Sequence, residues 1–294
     1  MIREYIFSRS VAETVRVLDD NNGQARIIAG GTDLMIDLAN ETVETEVLVD
    51  ITRLEGFSDI ILENGFIIIG AGVTMSDLAA NSIINCAVSS LAAAAGSVGS
   101  MQIRNIATVA GNIIRAQPAA DTAVILAALD AKITVCGMEG KKDIPLLDTY
   151  IRAGQSVVDA KKEIAVKIFF KAPQNNQGAA YVRLAQRKAL ALPILNVGSM
   201  LSVKKGKIEW ARIVMAPVGI KLTRATEAEN FLAGKTPSEA TLQEAGALAV
   251  KNAEPRDSLI RGGKEYRLAV LPKLVTRALT ESVQEIIAKG GMNL

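Results

Sequence analysis

The chain has 294 residues, 49% of them apolar, and its 33 basic and 31 acidic residues leave a net charge of +2. That length suits about two domains with a sizeable core and excludes compositional disorder. The near balance of charge gives no electrostatic case for nucleic acid or an anionic membrane.

Arg3 and Glu4 interrupt the N-terminus, so no secretory signal is expected. Ser10 and Glu13, three apart before Val11, Val15 and Leu18, predict a capping box opening an amphipathic helix. Ala25 to Ile28 predicts a short strand, Asp33 to Leu38 one or two helical turns, and Val47 to Ile51 a second strand. In "DIILENGFIIIG", Asn64-Gly65 predicts a hairpin, because both residues tolerate positive φ. Thr74 and Asp77 open another helix, and Ser89 to Ala95 continues helically. Leu78 to Ile103 is uncharged, but its many Asn, Ser and Gly residues predict buried helix and loop, not a membrane span.

Pro118 fits a first helical position, leading "AADTAVILAALDA". "KITVCG" and Lys162 to Phe170 read as strands, and polar "KAPQNNQGA" as a domain boundary. "LNVGSMLSVKKGKIEWARIVMAPV" predicts two strands joined at a solvated tip, Lys204 to Lys207, with Trp210 in the strand core. Helices follow over Glu227–Ala233, Ser238–Asn252 and Leu271–Ala288, with Gly290 as a stop. Arg256, Asp257 and Arg261 form either a partner-docking cluster or a surface ion-pair cluster. The whole is α+β.

There is no histidine. That removes the usual general base, Ser-His and Cys-His nucleophile pairs, and most catalytic zinc sites. Two cysteines, Cys86 and Cys136, cannot supply the four thiolates of an ordinary iron–sulfur cluster. No metal site and no catalytic side chain is predicted. A disulfide-poor chain without a signal suggests the cytoplasm. If the chain is an enzyme, a bound cofactor carries the chemistry.

Three glycine-rich loops are candidates for holding one. "IIAGGTDL" removes two Cβ atoms between a strand and a helix, and successive N–H groups there can cradle an anion. Taken alone, the motif reads better as an ordinary turn. Asp33 would repel a phosphate, so it either caps the next turn or bonds a ribose hydroxyl. "IGAGVTM" begins like a dinucleotide fingerprint, but bulky Met75 holds the last position, so a structural turn is expected. "TVAGNI", after "GSVGSMQIRN" and before "AQPAAD", again offers a hydroxyl, small residues and an amide. Two such loops suggest one long ligand with a diphosphate, held from two sides. No P-loop pattern appears.

Together "IIAGGTDL", "VGSMQIRNIATVAGN", "PAADTAVILAALDA", "YVRLAQRKALALPILNVG" and "GGKEYRLAVLPKLVTRAL" resemble the flavin-binding subunit of the molybdenum hydroxylases, the group of xanthine, carbon monoxide and nicotinate dehydrogenases. The resemblance covers nearly the whole chain. It implies a vanillyl-alcohol-oxidase (PCMH)-type FAD domain over 1–173, in subdomains of about 1–55 and 56–173, then a small α+β domain over 177–290. It implies that Ile27, Ile28, Ala29, Gly30, Gly31, Thr32, Asp33 and Leu34 wrap the cofactor. Thr108, Val109, Ala110, Gly111 and Asn112 would complete the cradle, and Gly99 would admit the backbone. Asp121 would accept from FAD hydroxyls, Ile164 would pack near the adenine, and Arg183, where the family often has lysine, would meet the flavin edge. Ala110 stands where the family usually has glycine, which requires a negative φ.

The family's FAD is non-covalent, and a chain without histidine cannot form a histidyl–flavin link. By the same resemblance, the [2Fe–2S] centres sit on a small partner subunit and the molybdenum cofactor on a large molybdopterin partner. Electrons would pass from the iron–sulfur centres to FAD and on to an acceptor such as NAD. Two rivals remain at this point: a stand-alone flavin oxidoreductase of the same fold, and a non-catalytic cofactor or assembly module.

Overall fold

A computed structural model describes residues 2–187, 190–258 and 262–292. Arg261 lies outside the described residues.

The chain opens with β1 (Glu4–Phe7), α1 (Val11–Asp20), β2 (Ala25–Ile28), α2 (Leu34–Ala39) and β3 (Val47–Asp50). The three strands form a parallel sheet in the order β1-β3-β2. Ser10 caps α1 by accepting the Glu13 N–H at 3.1 Å, and the Glu13 carboxylate takes the Arg9 N–H at 2.7 Å. Val15 and Leu18 turn inward as their spacing predicts. Strand β1 is absent from the sequence reading: Tyr5 and Phe7 are both exposed, so this edge strand carries no apolar alternation to read.

Next come β4 (Ile60–Glu63), β5 (Phe66–Gly70) and six helices: α3 (Met75–Ala80), α4 (Ser82–Ala87), α5 (Ser89–Gly96), α6 (Met101–Arg104), α7 (Val109–Ile114) and α8 (Asp121–Ala128). After them run β6 (Lys132–Gly137), β7 (Gly140–Pro145), β8 (Tyr150–Arg152), β9 (Gln155–Ser156) and β10 (Ile164–Lys171). Five of these strands form one antiparallel sheet, β4-β5-β10-β6-β7. Asn64 and Gly65 both take positive φ at the β4–β5 turn. Pro118 falls in a turn before α8 instead of at its first position. The Ala120 N–H donates to the Gln117 carbonyl at 3.0 Å, which places the proline second in the turn, where its fixed φ serves as well. Among the described residues no helix is long and apolar enough to cross a membrane.

The last part holds β11 (Gln177–Ala185), β12 (Pro193–Lys204), β13 (Lys207–Ala216), β14 (Thr223–Arg224), α9 (Thr226–Leu232), α10 (Glu239–Ala249) and α11 (Lys264–Ala288). The strands form an antiparallel sheet, β11-β12-β13-β14, covered on both faces. By strand alternation Met200, Val214 and Ala216 join the core of the first part, while Val197, Leu201, Ile213 and Met215 pack with α9 to α11. Helix α8, buried along its whole length, lies between the two halves. Helix α11 starts at Lys264, seven residues before Leu271, with Pro272 inside it. A proline there removes one helical hydrogen bond, and packing against β11, β12 and α10 overrides that cost. Trp210 is half-buried, and the Arg212 guanidinium lies 4.5 Å from its ring centre.

Candidate functional site

Strand β2 runs into Gly30 and Gly31 before α2 begins. Gly31 has φ +65°, a conformation that suits glycine. At Gly30 the reason is space. A Cβ there would lie 1.8 Å from the Ile106 carbonyl oxygen and 3.1 Å from Ala107 Cα. The missing side chain therefore lets the first loop rest on the segment that leads into Thr108 and α7. The two glycine-rich loops meet, main chain against main chain.

Between them opens a cavity of about 420 Å³, within the range of small-molecule and cofactor sites. Ile27 to Leu34 line one side and Thr108, Ala110, Gly111 and Asn112 another. The N–H groups of Gly30, Gly31 and Thr32 donate to no acceptor among the described residues. Thr108 caps α7 by accepting the Gly111 N–H at 3.1 Å, which leaves its own hydroxyl proton free to donate. The Asn112 oxygen accepts from the Thr122 hydroxyl at 2.8 Å, so its amide nitrogen remains a donor. The site is rich in unused donors and bare of side chains where main chain approaches, the chemistry an anionic linker needs.

An ion pair ties the two walls. Arg115, which follows α7, binds both oxygens of Asp37 on α2, at 2.6 and 3.0 Å. Its Nε lies 3.8 Å from the Asp33 carboxylate. Asp33 holds the N-cap position of α2 but makes no capping bond. Glu163, also in the lining, pairs with Lys142 at 2.5 Å. Arg26, half-buried, completes the lining. Burial lowers its guanidinium below the ordinary arginine value, while Asp37 and Asp159 oppose that shift.

Residues 1–172 match the family described as the FAD-binding domain in molybdopterin dehydrogenase, and residues 180–282 the carbon monoxide dehydrogenase flavoprotein C-terminal domain. The chain belongs to this family of FAD-binding subunits. It is 30% identical to the 6-hydroxypseudooxynicotine dehydrogenase complex subunit alpha of Paenarthrobacter nicotinovorans, over 95% of this chain and 94% of that one. It is 27% identical to the xanthine dehydrogenase FAD-binding subunit of Escherichia coli O157:H7, over 95% of each. Carbon monoxide dehydrogenase of Hydrogenophaga pseudoflava superposes with a TM-score of 0.90 at 26% identity, covering 97% of this chain and 98% of that one. The fold is thus an FAD-binding domain followed by a flavoprotein C-terminal domain, and these relatives are named as dehydrogenases or their subunits.

Against that family's cofactor the cleft fits: it offers free N–H groups and a Cβ-free cradle where a diphosphate would rest. Ala110 lies inside α7, so its φ is negative and its methyl is accommodated. Not every predicted residue reaches the cavity. Val109 and Ile164 are fully buried behind its wall, whereas Glu163 and Ala165 line it on either side of Ile164. Gly99, at φ +51°, is exposed and outside the lining, beside the lining residue Val98 and against the Ile103 side chain.

Asp121 and Arg183 lie apart from the cavity and meet each other. Arg183 Nε donates to Asp121 Oδ1 at 2.9 Å, the Tyr181 hydroxyl donates to the same oxygen, and the Arg183 guanidinium also reaches the Ala191 carbonyl. Burial raises the Asp121 carboxyl above its ordinary value, against the downward pull of Tyr181 and Arg183. Lining residues outside the sequence prediction include Arg26, Asp37, Arg115, Ala160 and Glu163, together with Ala71 from the "IGAGVTM" turn. Arg26 adjoins the first motif and Arg115 follows the second, a proximity that could have flagged both.

Proposed function

We propose that the chain is the electron-relay subunit of a molybdenum hydroxylase complex. Electrons would arrive from [2Fe–2S] centres on a small partner and leave to an acceptor such as NAD, with substrate oxidised at the molybdenum cofactor of a large partner. Bound, non-covalent FAD supplies the carrier that joins one-electron centres to a two-electron acceptor. This chain's residues do the holding. Gly30, Gly31 and Thr32 would donate main-chain hydrogen bonds to the diphosphate, the Thr108 hydroxyl and Asn112 amide would complete the cradle, Val109 and Ile164 would shape it from behind, and Gly99 would admit the backbone beside it. Asp121 and Arg183, already bonded to each other, would meet the flavin end as a neutral pair. We further place the complex in the cytoplasm and the domain boundary at residues 173–177.

The observation that carries this reading is the paired-loop cleft with its unbonded N–H groups. Support for the complex comes from the relatives, which are themselves called subunits. Affinity purification of the native protein tests it. We expect copurifying partner chains, iron and molybdenum, FAD released on denaturation, and substrate-dependent NAD reduction. A lone chain with full activity, or a colourless preparation, would overturn it.

A further inference from the structure

Among the described residues, Arg26 is the charged group lining the cleft whose guanidinium has no ion-pair or hydrogen-bond partner. Among the described residues its side chain makes no ion pair and no hydrogen bond. A half-buried guanidinium with five idle donors is costly unless something else satisfies it. Two acids stand near enough to act on it, Asp37 and Asp159, and neither pairs with it. At Asp37 the reason is visible: both carboxylate oxygens are held by Arg115. The same arginine approaches Asp33. Lys142 likewise neutralises Glu163. Once these pairs are formed, the lining keeps one unpaired cation, Arg26, and one loosely held acid, Asp33, whose side chain is 57% exposed.

We propose that Arg26 is the counter-cation of the cofactor's diphosphate, and that Arg115 keeps it free for that task by occupying the neighbouring carboxylates. The inference rests on the FAD reading above and extends it to residues outside both glycine-rich motifs. A doubly anionic group seated on the Gly30–Thr32 N–H groups gains most from a charge-assisted partner at the same wall. Strand β2 fixes Arg26 two residues before Ile28, and the loop follows directly.

The test uses the full chain, stripped of FAD and titrated with it, following flavin fluorescence at low and high salt. R26M should raise the FAD Kd about 10- to 100-fold, the value of a hydrogen bond to a charged group, and flatten its salt dependence. R26K, which keeps the charge, should recover most of the loss. Competition locates the contact. R26M should weaken ADP as a competitor by the same factor and leave adenosine unchanged. If ADP and adenosine weaken equally, Arg26 serves the adenine and the proposal is overturned. If R26M binds FAD like the wild type, with the same salt slope, it is overturned as well. A wild-type chain that binds no FAD overturns the FAD reading itself, a distinct result. Should R26M fold poorly by circular dichroism, the R26K and R26Q pair carries the same salt and competition readouts.

Discussion

At the cleft, Arg115 grips Asp37 and leaves the surrounding main chain unbonded. At the seam between the two halves, Arg183 and Tyr181 grip Asp121 and leave little over. Both pairs join segments far apart in sequence, and both set an arginine against an aspartate. They differ in what they release. The Arg115 side chain is 34% exposed, and near its bond Arg26 and the N–H groups of Gly30, Gly31 and Thr32 stay unbonded among the described residues. The Arg183 and Asp121 side chains are 12% and 10% exposed and turn their donors on each other. One ion pair holds a site open, and the other closes a seam. The pair at the cleft thus stands beside unsatisfied donors, and the pair at the seam satisfies its own.

The comparison breaks hardest at Gly30. G30A adds a methyl that must sit 1.8 Å from the Ile106 carbonyl oxygen. No flexible side chain can yield there, because the obstacle is main chain. The two loops must separate, at a cost of about 3 kcal/mol or more. We expect urea unfolding to show that loss and the purified variant to retain no flavin. Stability within about 0.5 kcal/mol of wild type, with flavin retained, would mean that the loops do not depend on each other's approach.

The seam is the next largest. R183M leaves Asp121 buried without its cation, which costs about 3 kcal/mol. The pH dependence carries the sign. Asp121 has a raised folded value, so its contribution to stability is present below the ordinary carboxylate pKa and is lost as pH rises through the folded one. Removing Arg183 raises that folded value further and widens the window. The R183M deficit should therefore shrink when unfolding is measured near the carboxylate range instead of at neutral pH. A deficit independent of pH would show that Arg183 acts through packing, not through Asp121.

What could be read beforehand follows from the same contrast. Gly30 and Gly31 leave a mark in sequence because close main-chain approach has a compositional requirement that is local. The Asn64-Gly65 hairpin and the Ser10 cap are legible for the same reason: the residues that need each other are three or fewer apart. Asp37 and Arg115 were not legible, since nothing in either segment says that they face each other. The bond between Asp121 and Arg183, 62 positions apart, is illegible for the same reason. Strands β7 and β11 escaped because one is a polar edge and the other begins inside what reads as a linker. Pro118 and Pro272 sit in different surroundings. One sits before a helix in a turn that suits it equally, and the other sits within a helix that tertiary packing holds through the defect.

The smallest of these effects is the sharpest test of how the cleft stays open. Arg115 and Asp37 are partly exposed, so breaking their pair should cost only about 1 kcal/mol in urea unfolding. FAD affinity should respond more than stability. R115M removes the tie between the walls and also strands Asp37 beside Arg26, where it can capture that guanidinium or repel the diphosphate. A loss in affinity of about 10-fold is expected. Adding D37N deletes the stranded charge without restoring the tie. The double variant should therefore bind FAD better than R115M alone, an interaction of about 1 kcal/mol in the cycle. Additive effects would separate the pair from the cofactor and leave it a strut. A double variant that binds more weakly than R115M would show that Asp37 itself serves the ligand, and that Arg115 holds it in place and does not silence it.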